Sequence, residues 1–220
     1  MIIDKENFDI QHFHDCTNIF TDNEQHYDRA GSGRVPHLEH GLDQVTLPGP
    51  VFEFGVYNGR TINVIANKLP DRNIYGFDSF EGLPEDWQRT KSGSIKHVKG
   101  HFALDELPDV ESNVTLIKGF FDTSLPEWLK ENTLEPISFL HVDCDLYSST
   151  VTVFECLQPF IVPGTVIVFD EMYAWHKPKK YSLWHEGEYK ALQEWVEQYD
   201  RKFEIVSRTN HEQTTIRVIQ

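Results

Sequence analysis

Four acidic side chains follow two apolar runs of this 220-residue chain, directly after each run ends. Asp143 and Asp145 follow the first run, and Asp170 and Glu171 follow the second. If both runs are neighbouring strands of a parallel sheet, their carboxyl ends meet at the edge where such sheets bind ligands. Carboxylates so close together repel one another unless a proton or a cation neutralises them. Because oxygen ligands alone favour Mg²⁺, Mn²⁺ or Ca²⁺, the pattern predicts a hard-cation site.

The same acids have other interpretations, which the residues alone leave open. Some could cap helices, and others could pair with basic side chains, namely Arg34, Lys177, Lys179 or Lys180. Asp143 or His141 could instead serve as a general base near the end of the first run.

A second chemical signal lies between residues 51 and 78. An apolar run ends in a turn that contains Gly55 and Gly59, a helical pattern follows, and a second run ends at Asp78. This arrangement lets backbone approach a nucleotide-like ligand and lets an acid bind ribose hydroxyls. The turn EFGVYNG lacks the full GxGxxG spacing, so these residues alone leave a ribose-bearing cofactor and a purely structural turn as equal alternatives.

Alternating strands and helices must position these side chains, which predicts a doubly wound α/β fold. Strands are predicted at residues 51–56, 73–77, 114–118, 137–142, 166–169, 203–207 and 214–219. Helices are predicted at residues 10–27, 37–45, 60–68 and 186–199, after the turn at 119–126, and after Asp145, where Ser148 or Ser149 is the expected cap. The polar residues Arg34, His37, Glu39 and His40 are expected on solvated helix faces, with a substrate mouth as the alternative.

Two further stretches, residues 81–105 and 172–185, carry aromatic side chains without a regular core-facing period. We expect them, with the N-terminal segment, to close over a ligand as a lid, with Trp87, Trp175 and Trp184 as reporters.

Composition limits the classes of partner. The formal net charge of −15 argues against nucleic acid. No apolar run of about 18 residues occurs and the first residues lack an apolar secretory segment, so no membrane association and a cytoplasmic location are expected. Cys16, Cys144 and Cys156 lack metal-ligand spacing and are expected to be reduced thiols, two of them in the core.

The motifs E-F-G-V-Y-x-G-R-[ST] and F-D-S-F-E-G-L-P resemble motifs I and II of class I S-adenosylmethionine-dependent methyltransferases. More narrowly, they resemble the macrocin O-methyltransferase family, which methylates sugar hydroxyls in bacterial natural products. The later pattern H-V-D-C-D-L-Y-S-S-T…V-P-G-T-V-I-V-F-D-E-M-Y is similar to the family's D-x-D-x-Y-x-S-T…P-G-G-x-[IV]-x-x-D-D-Y. Glu171 departs from it, since the family usually has Asp there; the longer side chain could shift the ion, turn to solvent or mark weaker metal dependence.

The resemblance implies a Rossmann-like seven-stranded sheet in the order 3-2-1-4-5-7-6, with strand 7 antiparallel. It implies an N-terminal helical and lid segment at 1–48, which would contribute to a homodimer, and a methyltransferase domain at 49–220. The implied cofactor-binding residues are Glu53, Gly55, Tyr57, Gly59, Arg60, Thr61, Asp78, Ser79, Phe120 and Asp143. Phe120 or Phe121 could stack on the adenine, and core packing is an equal alternative.

These implications lead to an expected function with assigned roles. The chain is expected to be an O-methyltransferase that uses S-adenosylmethionine and Mg²⁺ and acts on a hydroxyl of a sugar or glycosylated small metabolite. Asp145, Asp170 and Glu171 are the expected metal ligands and Asp143 the expected base, although the roles of Asp143 and Asp145 could exchange because DxD in extended chain points both side chains to one side. The alternatives are a metal-independent O- or N-methyltransferase with His141 or Asp143 as base, and an inactive binding protein of the same fold.

Overall fold

The structure is a computed structural model that describes residues 1–16, 33–88, 90, 97–174 and 181–220. The strands are β1 (Ile2–Ile3), β2 (Val51–Phe54), β3 (Ile74–Asp78), β4 (Val114–Lys118), β5 (Phe139–Val142), β6 (Val166–Phe169), β7 (Phe203–Arg208) and β8 (Thr214–Val218). The helices are α1 (Ile10–Asp15), α2 (Arg34–Asp43), α3 (Arg60–Lys68), α4 (Phe121–Glu131), α5 (Tyr147–Leu157) and α6 (Glu188–Tyr199). Short 3₁₀ turns lie at Gln158–Phe160 and Trp184–Glu186.

All the strands form one sheet in the order β1-β7-β8-β6-β5-β2-β3-β4. The pairs among β4, β3, β2, β5 and β6 are parallel, whereas β8 is antiparallel to both β6 and β7. Apart from β1, this order is the predicted 3-2-1-4-5-7-6, and β8, the predicted strand 7, is antiparallel as expected. That prediction is confirmed. The expected number of seven strands is wrong, because β1 adds an eighth strand antiparallel to β7. A strand of two residues carries no alternation that a sequence could reveal.

Helices cover both faces of the sheet. On one face α2 and α3 pack together over a core that includes Val51, Ile62, Ile65 and Val166. On the other face α4, α5 and α6 follow one another over a core rich in aromatic rings. The central strands β2, β5 and β6 are buried along their whole length, which explains why they are continuous apolar runs. The result is the predicted doubly wound sandwich, whose loops at the carboxyl ends of the strands are free to form a site.

Several predicted helix boundaries are wrong. The expected cap of α5 is one: the helix begins at Tyr147 after the N-cap Leu146 without a side-chain cap, and Ser148 lies inside the first turn, where its hydroxyl donates to Glu85. The helix α4 begins at Phe121, inside the turn predicted at 119–126, and contains Pro126. The helix α6 begins at Glu188 rather than at residue 186, and α2 spans Arg34–Asp43 rather than 37–45. The helix predicted at 10–27 is described only as Ile10–Asp15, because residues 17–32 lie outside the described residues.

The helix α2 buries one face in the core and leaves Glu39 on its opposite face exposed. His37 is fully buried, and its Nε2 lies 3.2 Å from the hydroxyl of Ser207 and 3.1 Å from that of Thr215. Burial lowers the pKa of His37 to about 3. The expectation of a solvated face is therefore wrong for His37. All three cysteines are free thiols, but of the two expected in the core only Cys144 is buried, whereas Cys16 and Cys156 are half-buried.

His37 makes the stability of the protein sensitive to acid. Its pKa in the folded state lies below the ordinary value near 6.5, so the unfolded chain binds the proton more readily and stability falls as the pH drops below that value. Between pH 7.5 and pH 5 we expect the wild type to lose about 2 kcal/mol more unfolding free energy than His37→Gln. Urea denaturation of both proteins at the two pH values measures this difference, and equal losses would contradict a neutral buried His37.

Candidate active site

The loops at the carboxyl ends of the parallel strands enclose a cavity of about 720 Å³. Most of the predicted site residues line it: Gly55, Tyr57, Arg60, Thr61, Asp78, Ser79, Phe120, Asp143, Asp145 and Glu171. The predicted residues Glu53, Gly59 and Asp170 do not line it. The remaining wall includes Arg34, residues between β3 and β4 such as Trp87 and Phe102, and side chains of α4 and α5 such as Phe121 and Ser148.

Asp78 joins the loops that follow β2 and β3. Its Oδ2 accepts a hydrogen bond from the backbone of Tyr57 at 2.7 Å, and its Oδ1 accepts one from the backbone of Phe80 at 2.7 Å. Burial raises the pKa of Asp78, and backbone N–H groups oppose that shift. A carboxylate offers about four acceptor sites, so Asp78 keeps acceptor capacity for a further donor such as a ribose hydroxyl.

The predicted role of the glycines needs correction. A Cβ on Gly55 would lie 1.8 Å from the carbonyl oxygen of Asp143, so Gly55 is required by the close approach of β5 and not by space for a ligand. A Cβ on Gly59 would meet Pro108 at 3.1 Å, outside the cavity. Both glycines have positive φ angles, +99° and +80°. They shape the turn after β2, and Gly59 does not line the cavity.

Gly55→Ala should destabilise the protein more than a comparable change elsewhere. The new Cβ adds a clash with β5 to the strain of a left-handed conformation, and we expect a loss of about 3 kcal/mol or more. Gly100 is a matched control, because its φ is +82° and nothing lies within 4 Å of a Cβ there. Gly100→Ala should cost about 1–2 kcal/mol. Equal losses of unfolding free energy in the two variants would contradict the close approach at Gly55.

Below the cavity, Glu53 and His141 form a buried pair on neighbouring strands. The two residues are register partners of β2 and β5, and His141 Nδ1 lies 2.7 Å from Glu53 Oε1. Both side chains are at most 1% exposed. Glu53 therefore lies beneath the site instead of in the wall where a cofactor would touch it. His141 is likewise too deeply buried to reach an acceptor hydroxyl, which removes it as the alternative base.

Three carboxylates converge beside the cavity. Single oxygens of Asp143, Asp170 and Glu171 all lie within 4.8 Å of one another. Glu171 is buried, so the idea that its longer side chain turns to solvent is wrong. Arg34, at the start of α2, forms an ion pair with Asp143 through Nη2 and with Asp170 through Nε at 2.8 Å. The predicted pairing with Arg34 is thus present, while Lys177, Lys179 and Lys180 lie outside the described residues.

The position of Asp145 differs from the expectation. Its φ of +64° turns the chain out of the extended conformation that the DxD prediction assumes. Two convergent clusters occur among the described residues, Glu53–His141–Asp143 and Asp143–Asp170–Glu171, and both contain Asp143 and not Asp145. Asp145 lines the large cavity and also a neighbouring one of about 200 Å³, which shares Glu85 and Trp87 with it.

The electrostatics of the cluster reflect its burial. Burial raises the pKa of Asp143 well above its ordinary value, Arg34 opposes the shift, and Asp170 adds to it. Burial and the neighbouring acids raise the pKa of Glu171 well above its ordinary value as well. Burial disfavours the charged form of Arg34, but the surrounding carboxylates raise its pKa well above the ordinary value. Arg34 supplies the ion pairs that the described residues make with this cluster, so a proton or a bound cation must offset the remaining carboxylate charge.

A comparison with protein families decides which family this chain represents. The model of the family described as Macrocin-O-methyltransferase (TylF) matches residues 5–195. The chain belongs to the macrocin O-methyltransferase family.

Individual relatives of this family member are distant. Over 160 residues it is 26% identical to the 8-demethyl-8-(2,3-dimethoxy-alpha-L-rhamnosyl)-tetracenomycin-C 4'-O-methyltransferase of Streptomyces olivaceus, covering 64% of this chain and 61% of the relative. The calicheamicin methyltransferase CalS11 has a similar fold, with a TM-score of 0.64 at 21% identity over 86% of this chain and 80% of that one. The MycE methyltransferase, solved with Mg and SAH, has a TM-score of 0.50 at 18% identity over 84% of this chain and 49% of that one.

The acidic cluster of this macrocin O-methyltransferase family member fits a divalent cation. The convergent groups are all carboxylate oxygens, which suit Mg²⁺ or Mn²⁺. Glu171 Oε2 is buried and has no hydrogen-bond partner among the described residues. Three carboxylates face one guanidinium, so a cation would supply missing positive charge and would also give the orphaned oxygen a partner.

The predicted lids are packed where the structure describes them. Trp87 stacks on His97 at 5.2 Å between ring centroids, and it clusters with Leu83, Leu146 and Tyr181. Trp175 and residues 91–96 lie outside the described residues, so closure of the lids stays a prediction. No helix in the described part of the chain is long and apolar enough to cross a membrane.

Sequence reasoning offered Arg34 only as an alternative, as a partner of the acids or at a substrate mouth, and the structure places it against Asp143 and Asp170 and in the cavity wall. It missed Glu188, a fully buried acid whose carboxylate accepts a hydrogen bond from the backbone of Glu171. An acid in the first turn of a helix is usually explained by the helix dipole, so no signal in the sequence marked it.

Proposed function

We propose that this protein transfers the methyl group of S-adenosylmethionine to a hydroxyl of a sugar or glycosylated small molecule, with the help of a divalent cation. One observation carries the proposal: a single cavity is lined by Asp78 and also by Asp143 and Glu171, two of the three acids that converge with Asp170. The family match supports the reaction, and the relative's rhamnosyl-containing name supports the class of acceptor. The alignment spans about three fifths of that relative, so the acceptor is part of the proposal.

The proposed cofactor site uses the turn after β2 and the loops after β3 and β4. Asp78 would accept hydrogen bonds from the ribose hydroxyls, beside the backbone of Gly55 and Tyr57. Phe120 and Phe121 both line the cavity, which supports an apolar wall for the adenine. Phe121 also packs edge-on against Phe54 at 5.3 Å, so Phe120 is the better candidate for stacking.

The geometry supports the alternative assignment of the DxD pair, with Asp143 as a metal ligand and Asp145 as the base. Asp143, Asp170 and Glu171 would hold the cation, and Asp145 would accept the proton of the acceptor hydroxyl. Asp145 is half-exposed and lines both cavities, so it lies where an acceptor could reach it. When bound, the cation would act as a Lewis acid and template that lowers the proton affinity of the acceptor oxygen.

The chain's own residues would align the reaction. The acceptor oxygen forms a bond to the sulfonium methyl carbon while the carbon–sulfur bond breaks, and the hydroxyl proton passes to Asp145. Positioning of the two reactants supplies a large share of the rate in such displacements. The smaller cavity, bordered by Trp87, Tyr147 and Tyr181, offers aromatic surface against which a sugar ring could pack.

One observation favours a second candidate, a metal-independent methyltransferase. Arg34 already lies between Asp143 and Asp170 and neutralises part of their charge. Methyl transfer from labelled S-adenosylmethionine to a panel of rhamnosides and amino-sugar glycosides, with Mg²⁺ or with chelator, separates the two. Product that forms only with the cation supports the leading proposal, and equal product with chelator supports the second. If S-adenosylhomocysteine produces no heat in a calorimetric titration, both fail.

A further inference from the structure

Glu188 is a charged side chain in an unusual environment. It is the first residue of α6 and is 0% exposed, between the sheet and the loop that follows β6. Carboxylates are almost never fully buried unless they are paired. No Lys, Arg or His forms an ion pair with Glu188 within the described ranges.

The contacts of Glu188 lead to the acidic cluster. Its Oε2 accepts a hydrogen bond from the backbone N–H of Glu171 at 3.0 Å, which ties α6 to the loop that carries two of the convergent acids. The preceding residue is held as well, because the backbone N–H of Asp170 donates to the carbonyl of Val142. Glu188 Oε1 has no hydrogen-bond partner within the described residues. Glu188 therefore fixes the backbone of Glu171 on the side opposite to β5.

The charge of Glu188 is not needed for that hydrogen bond. A glutamine amide would accept from the same N–H without the cost of a buried carboxylate. The groups that act on Glu188 from neighbouring elements are Asp145, Asp170, Glu171 and Arg34, of which only Arg34 is basic. A further acid in such a place adds to the repulsion unless a cation arrives to offset it.

We propose that Glu188 is a positioning residue for the cation site, which holds Glu171 through its backbone and adds negative charge behind the ligands. This inference rests on the proposed cation at Asp143, Asp170 and Glu171. Groups that contact metal ligands from behind commonly change metal affinity by about 10–100-fold when they are removed. Glu188 would act only through Glu171 and the local field, so it is no ligand itself.

The test measures Mn²⁺ binding to the full chain by electron paramagnetic resonance, in the absence of any turnover. Glu188→Gln keeps the acceptor for the Glu171 N–H and removes the charge, and we expect Mn²⁺ affinity to fall about 10-fold. Glu188→Leu removes both contributions and should lower it further, toward 100-fold. The metal-free melting temperature of Glu188→Gln should equal or exceed that of the wild type, because a buried charge is removed. Affinity for S-adenosylhomocysteine should stay unchanged in both variants.

Matched variants keep the outcomes distinct. Glu197→Gln removes an acid from the exposed face of the same helix and should leave Mn²⁺ affinity unchanged. Asp170→Asn should abolish Mn²⁺ binding; if the wild type binds no Mn²⁺, the proposed cation fails and this inference fails with it. If the wild type binds Mn²⁺ and Glu188→Gln binds it equally well, only the role of Glu188 is overturned. Should Glu188→Leu fail to fold, Glu188→Gln alone decides.

Discussion

Asp145→Asn should lower the maximal rate of methyl transfer by about 10²–10⁴-fold at saturating Mg²⁺, the usual contribution of a positioned general base. The amide cannot accept the acceptor's proton, yet it keeps the size of the side chain. The concentration of Mg²⁺ needed for half-maximal rate should rise less than in variants of the proposed ligands, because Asp145 lies outside the convergent cluster of the described residues and only its charge acts on Glu171. Steady-state rates as a function of Mg²⁺ measure both quantities.

Asp143→Asn and Asp170→Asn provide the comparison. Each removes a charged oxygen from the cluster, so each should raise the Mg²⁺ concentration required for turnover. Glu171→Gln should do the same. A raised metal requirement in Asp145→Asn, together with an unchanged one in Asp143→Asn, would contradict the proposed division and restore the assignment that an extended DxD pattern predicts.

Asp78→Ala should weaken binding of S-adenosylhomocysteine by about 10–150-fold, which corresponds to about 1.5–3 kcal/mol for hydrogen bonds to a charged group. The variant would leave the two ribose hydroxyls without a charged acceptor. Isothermal titration calorimetry of the wild type and the variant measures the loss. A dissociation constant that does not change would remove Asp78 from the cofactor site.

Asp78 also orders two loops, so its contact with ribose needs a separate control. Ser79→Ala loosens the same loop, because the Ser79 hydroxyl donates to the Gly82 carbonyl at 2.8 Å and accepts from Glu81 at 3.1 Å. Because Ser79 is itself an implied cofactor contact, this variant should lose some affinity for S-adenosylhomocysteine, but less than Asp78→Ala loses. The wild type should bind a 2′-deoxy analogue more weakly than it binds S-adenosylhomocysteine. Asp78→Ala should bind the two ligands with equal affinity. Parallel losses in both proteins would show that Asp78 acts by ordering the loop alone.

The sequence was informative where burial imposes a simple pattern. The strands β2, β5 and β6 are buried on both sides, so each is an unbroken apolar run that is easily identified. Because the acids follow those runs directly, their arrival at one edge of the sheet could be predicted. Asp78 and Glu171 lie where that reasoning placed them.

Prediction from the sequence failed where the geometry of the site depends on one backbone angle or on one contact between residues far apart in sequence. The left-handed φ of Asp145 takes the DxD pattern out of the extended conformation, and no residue type in the sequence predicts that angle. Position 55 requires glycine because a Cβ there would clash with the carbonyl oxygen of Asp143, a residue far away in sequence. Arg34 and Glu188 reach the cluster from helices at opposite ends of the chain. Such contacts depend on tertiary packing, which local patterns do not encode.

A crystal structure of the protein with S-adenosylhomocysteine and Mn²⁺, with data collected near the manganese absorption edge, tests the central claim most directly. The account predicts S-adenosylhomocysteine in the 720 Å³ cavity with its ribose hydroxyls on Asp78. It also predicts one anomalous peak bound by Asp143, Asp170 and Glu171, with Asp145 facing the neighbouring cavity. A peak coordinated by Asp145 instead of Asp143, or S-adenosylhomocysteine bound away from Asp78, would contradict it.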